Sequence, residues 1–206
     1  RRLSRMWRWR QRAAVGVAAA AAAAASGLVQ HKRRSMKVLR QHSTRFDRSY
    51  SAVTELELPT AVFKTCPWQP RELVETGLRQ WLRCCAAALR DEQVIGMPSR
   101  AVDEAWHGLI LYTARYQAFC TKAYGKFMHH HPVGGAPANI PAAADPMDEQ
   151  LRRTVIAWSL VAMPDEQCVL WDLDNRVGVD QRWGLDLARV AEIQAAVTKL
   201  RPSIRN

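Results

Sequence analysis

A mostly α-helical fold, a small helical domain following one N-terminal transmembrane helix, is what this sequence predicts, and three observations predict it. Beyond residue 70, apolar side chains recur at spacings of three and four, the period of a helix with one buried face. Strand-like runs do not alternate with helical ones and no internal repeat is present, so a parallel sheet is not expected. Finally, Ala13 to Val29 is an uncharged, alanine-rich run set between two basic stretches. The expected division is a basic N-terminus with the anchor helix at 1–31, a basic and polar connector at 32–60, and a helical domain at 61–206.

The charge is unevenly spread. The 206 residues carry a formal net charge of +11, yet 12 of the 30 Lys/Arg lie in residues 1–45, where there is no Asp or Glu. The remainder holds 18 basic against 19 acidic side chains, so the domain itself is neutral and no nucleic-acid-binding face is expected. A helix over 13–29 rises about 1.5 Å per residue and just spans a hydrocarbon core of about 30 Å. Trp7 and Trp9 suit the aromatic belt at a headgroup boundary, and Arg10, Arg12, Lys32, Arg33 and Arg34 suit anionic headgroups on either side. Alanine is only weakly apolar, but small residues let a membrane helix pack closely on a membrane-protein partner. A secretory signal and an organellar transit peptide share parts of this pattern. Six Lys/Arg precede the run and six follow it by Arg45, so charge does not set the orientation. Cys66, Cys84, Cys85, Cys120 and Cys168 are odd in number and form no CxxC, which fits reduced thiols in a cytoplasm-facing domain.

The first domain helix starts near Pro70, with Glu72 in its first turn. Leu73, Gly77, Trp81, Cys84 and Ala88 mark one stripe, which Leu78, Leu82 and Cys85 widen. Ser99 is a fitting N-cap for one helix from about Arg100 to Tyr124, with Asp103 early and Gly125 as the C-cap. Residues 129–146 form a Pro/Gly/Ala-rich loop. Met147 to Ala162 is a third helix with Leu151, Val155, Trp158 and Ala162 on one side. "CVLWDLD" is a strand or a tight packing segment, and a final helix carries Leu185, Ala188, Ile193, Ala196 and Leu200.

Four of the six histidines fall in "VDEAWHGLILYTARYQAFCTKAYGKFMHHHP", Val102 to Pro132. At 100° per residue, Ala105, Leu109, Tyr112, Tyr116, Phe119, Cys120 and Ala123 lie opposite His107 and form the expected core face. Cys120 reads there as a small hydrophobe, and on one straight helix it shares no metal with His107. Asp103 precedes His107 by one turn, an i,i+4 carboxylate–imidazole pair. Such a pair binds a metal or lets Asp orient a proton-transferring His. It is also an ordinary surface pair. His129 and His130 follow the expected C-cap, and their return to His107 across roughly six turns of straight helix is geometrically demanding. The preferred reading is a structural helix–loop lock around Trp106 and His107, with metal ligation by His107, His129 and His130 as the rival.

The strings "GLRQWLRCC", "MPSRAVDEAWHGLILYTARYQAFCTKAYGKFMHHHP" and "LRRT" resemble an uncharacterised bacterial family with one N-terminal span, a basic juxtamembrane stretch and a small domain. Asp103, Trp106, His107, Tyr116, Phe119, Cys120, Gly125, His129, His130 and Pro132 carry the resemblance. A shorter D-x-x-W-H pattern followed by Tyr and Cys is similar to a segment of the plant glycine-rich domain-containing proteins. Gly108 departs from the larger residue expected there, which loosens the helix beside His107. The resemblance implies the anchor and the unity of the motif, and no substrate or cofactor. With no phosphate loop, nucleophile elbow, HExxH or zinc-finger spacing, the leading expectation is a single-pass membrane-anchored interaction protein or accessory subunit of a larger membrane complex. The alternative is a metal- or His-dependent enzyme centred on Asp103, His107, His129 and His130.

Overall fold

A computed structural model describes residues 47–64, 66–130, 146–183 and 185–200. The expected anchor run at 13–29, its flanking Trp7, Trp9, Arg10, Arg12, Lys32, Arg33 and Arg34, and His131 lie outside the described residues. Among the described residues no helix is long and apolar enough to cross a membrane, and there is no strand.

The elements are α1 (47–54), a 3-10 turn (Thr60–Phe63), α2 (Arg71–Arg90), α3 (Arg100–Ile110), α4 (Thr113–Tyr124), α5 (Met147–Val161), α6 (Leu173–Arg176) and α7 (Leu187–Leu200). Helix α2 is the centre: α3, α4, α5 and α6 all pack against it, and α7 packs on α5. Its buried face is the widened stripe, including Gly77, Leu78, Trp81, Leu82, Cys84 and Cys85. Gly77 sits where a Cβ would lie 2.8 Å from Leu173 and 2.9 Å from Val102, so its smallness sets how closely α3 and α6 approach α2. Helix α5 matches its expected bounds to within a residue, with Val155 and Trp158 buried. Thr154 Oγ1 donates to the Gly96 carbonyl (2.6 Å) and ties α5 to the chain between α2 and α3.

Four features correct the expectations or choose between them. First, residues 47–54, read as part of the polar connector, are helical. Ala52 and Val53 are buried in the core, and Ser49 Oγ donates to the Ala123 carbonyl (2.6 Å). Second, "CVLWDLD" is a packing segment that ends in α6, with Leu170 and Leu173 fully buried. Third, Gly108 tightens the structure instead of loosening it. A Cβ there would stand 1.9 Å from the Val62 carbonyl oxygen, so α3 lies directly on the backbone of the 3-10 turn only because residue 108 has no side chain.

The fourth difference matters most. The single helix expected from Arg100 to Tyr124 is two. Helix α3 ends at Ile110, Tyr112 leaves helical geometry (φ −82°, ψ 59°), and α4 starts at Thr113. No Gly or Pro occupies residues 110–113, so nothing local forces the break. Docking does: α3 is pinned to the 3-10 turn at Gly108, while α4 is held to α2 by Tyr124 Oη donating to the Leu82 carbonyl (2.9 Å) and to α1 through Ser49. A straight helix would set Trp106 and Tyr116 about 15 Å apart along its axis. Here Trp106 Nε1 donates to Tyr116 Oη at 3.2 Å. Tyr112 and Leu111, freed at the corner, are exposed at 37% and 79%, so Tyr112 leaves the expected core face while Tyr116, Phe119, Cys120 and Ala123 keep to it.

Candidate metal centre

Helix α3 supplies two of the three polar side chains of the site, and its N-terminus is fixed twice. Ser99 is the expected N-cap, its Oγ accepting from Val102 N–H (3.3 Å). Asp174 of α6, only 3% exposed, accepts from Ser99 Oγ (2.6 Å), Arg100 N–H (2.9 Å), Ala101 N–H (3.2 Å) and Trp183 N–H (2.9 Å). A carboxylate on the first N–H groups of a helix is favoured by the unsatisfied donors and the helix dipole. Nothing local in the sequence marks Asp174, because its partners at the start of α3 are more than 70 residues away.

One turn into α3, Asp103 and His107 share a face as their i,i+4 spacing requires. Asp103 Oδ2 stands 3.6 Å from His107 Nδ1, within ion-pair reach and longer than a good hydrogen bond. Burial pushes the Asp103 carboxyl up from its ordinary value; the nearby His107 opposes that shift and Glu104 adds to it. The other edge of the His107 ring faces His130. Their Nε2 atoms are 3.0 Å apart, with ring planes at 71° and centroids at 4.7 Å. The bend at residues 111–112 makes this possible. On a straight helix Gly125 alone would lie about 27 Å beyond His107.

Gly125, at φ 73°, is the left-handed cap that ends α4 and turns the chain back. Met128 is buried, and its carbonyl accepts from Tyr116 Oη (3.0 Å), which in turn receives Trp106 Nε1. The Trp106 ring meets His130 edge-on at 4.9 Å. Burial holds the Tyr116 hydroxyl far above the ordinary tyrosine range, so it remains a donor. Cys120, fully buried, lies beside the Tyr116 hydroxyl and the Met128 backbone; burial pushes its thiol up despite both neighbours. His129 is not part of this group; its ring lies against Phe127 (4.9 Å). The structure thus brings Asp103, His107 and His130 together and places Trp106, Tyr116 and Cys120 behind them. His129 stands apart, and Cys120 offers no ligand to the group.

One ligand atom from each of Asp103, His107 and His130 lies within 4.8 Å of the others. Metal–nitrogen bonds of about 2.0–2.1 Å place two imidazole donors roughly 3 Å or slightly more apart, the spacing the two Nε2 atoms already have. A nitrogen–nitrogen–carboxylate set suits zinc and iron(II). Asp103 has two chemically sensible places there: as the third ligand, or as the carboxylate that accepts from His107 Nδ1 and orients the ring.

Fold and site together define a small helical domain with a two-histidine, one-carboxylate cluster where a bent helix pair meets the chain that follows it. The chain belongs to the UCP032817-like family, whose pattern matches residues 47–167, from α1 through α5 and across all three cluster residues. That family is uncharacterised, so membership brings no reaction with it. No curated protein and no solved structure matches the chain.

Proposed function

We propose that this domain binds a divalent transition metal, zinc or iron(II), through Asp103, His107 and His130. The observation that carries the reading is the convergence of His107 Nε2 and His130 Nε2 at 3.0 Å from separate parts of the chain, with a half-buried carboxylate one helical turn from His107. Three protein ligands leave coordination positions open, and the His107 side chain is 42% exposed, so the metal faces solvent as in sites that act on bound water or substrate. This raises the metal-dependent alternative above the pure interaction protein as a reading of the domain. Purified without chelators, the full chain is expected to carry about one equivalent of metal, and His107→Ala and His130→Ala are expected to lose it. Wild-type protein with only trace metal, and with a melting temperature indifferent to added zinc, would sink the proposal.

The second reading concerns where the site is carried. The uncharged run at 13–29, with basic residues on both flanks, favours a tether that holds the domain at an anionic membrane surface, beside a membrane-protein partner. Carbonate-washed membranes then retain the chain, whereas release into the supernatant argues against a span.

A further inference from the structure

Resting on the metal reading, we infer that Tyr116 is the positioning residue of the site: it holds His130 at His107 through the Met128 carbonyl. His130 is not on a helix. It follows the Gly125 cap by five residues, in a segment whose backbone has no helical or strand ladder to fix it. The Tyr116 hydroxyl donates to Met128, two residues before His130 (3.0 Å), and Tyr116 is itself 1% exposed on α4. Trp106, next to His107 on α3, completes the link. Its Nε1–H donates to the Tyr116 oxygen (3.2 Å), and its ring edge packs on His130 (4.9 Å).

The hydroxyl therefore uses its lone pair toward one ligand-bearing helix and its proton toward the other ligand-bearing segment. This is the donor–acceptor pattern a phenol can supply and a phenylalanine cannot. Residues that orient metal ligands in this way alter affinity by about 10–100-fold when changed. The same chain of contacts links Trp106, Tyr116 and the segment that carries His130, although neither Trp106 nor Tyr116 is one of the three ligand residues.

The test uses the full chain and cobalt(II) as a spectroscopic probe. Tyr116→Phe keeps the ring and removes the hydroxyl. It is expected to weaken cobalt binding by about 10–100-fold, with a visible spectrum moved toward that of His130→Ala, while far-UV circular dichroism stays unchanged. Trp106→Phe, which keeps a ring beside His130 and removes only the donor, is expected to weaken binding less. Phe119→Leu, a buried change on the same helix, controls for general loosening and leaves affinity within about twofold. Wild-type binding with an unchanged Tyr116→Phe affinity and spectrum overturns the positioning role and leaves the metal site standing. Equal losses in Tyr116→Phe and Phe119→Leu also overturn it. A wild-type chain that binds no cobalt overturns the site itself. If Tyr116→Phe does not fold, Trp106→Phe decides: affinity and spectrum like wild type overturn the link, and a partial shift toward His130→Ala supports it.

Discussion

The Arg83–Glu166 cluster and the Asp103–His107–His130 cluster are both polar groups set among helices, and they are completed in opposite ways. In the first, α2 presents Arg83 and Gln80 to the chain after α5. The Arg83 guanidinium binds both carboxylate oxygens of Glu166, one of them at 2.9 Å, and lies over the Trp158 ring at 5.3 Å. Glu166 also accepts from Met163 N–H (3.1 Å), and Gln80 bridges the Gln167 carbonyl and Val169 N–H, each at 2.8 Å. Burial pushes the Glu166 carboxyl up, but the arginine and the N–H donors around it together hold it below its ordinary value. Every charge there has an opposite charge or a fixed donor. In the second cluster no opposite charge closes the group: the two Nε2 atoms stand 3.0 Å apart, each able to donate or accept according to its tautomer, with a carboxylate 3.6 Å from the far nitrogen of His107. Closed polar clusters fasten helices; two imidazole nitrogens and a carboxylate within ligand reach of one point suit a cation.

The sharpest way to break this comparison is to remove one member of each cluster and ask what metal does. Glu166→Ala strands a guanidinium that is only 7% exposed, and the expected loss is about 3 kcal/mol. Urea denaturation should return that loss whether or not chelator is present. A loss that zinc repairs would mean the two clusters are not of different kinds.

His107→Ala is expected to have the smaller intrinsic effect, under about 1 kcal/mol without metal, since its side chain is partly exposed and one hydrogen bond is worth about that much. With free metal at one hundred times its dissociation constant, wild type gains about 2.7 kcal/mol of stability and the variant gains none. Thermal melts with and without zinc measure this. Equal zinc responses in both proteins would erase the distinction.

Much of the helical framework is legible in the residues themselves. The stripe from Leu78 to Cys85, the Ser99 cap and the left-handed Gly125 are local consequences of side-chain periodicity and backbone sterics, and they appear as expected. The i,i+4 placement of Asp103 and His107 is likewise local. The remainder of the site is not. A helical wheel treats residues 100–124 as one rod because apolar side chains keep a single face across the corner, and no Gly or Pro marks residues 110–113. From the sequence alone Gly108 reads as slack, because its meaning lies in a backbone oxygen 46 positions away, that of Val62. Residues 47–54 read as a connector because their apolar positions are few, and their helix is held by partners on α2 and α4.

What the sequence by itself determined, then, is α2, α5 and the start of α3, with the Ser99 and Gly125 caps, and one half of the cluster. These follow from interactions spanning at most four residues, which any isolated segment already contains. What only the tertiary structure decided is the corner at Leu111 and Tyr112, the return of the 126–130 segment, and the meeting of His107 with His130. The physical reason is that α3 and α4 both pack on α2 but each has a second partner in a different place, the 3-10 turn for α3 and α1 for α4. A rod cannot satisfy two docking surfaces that are not collinear, so the helix breaks and the two imidazoles come within reach.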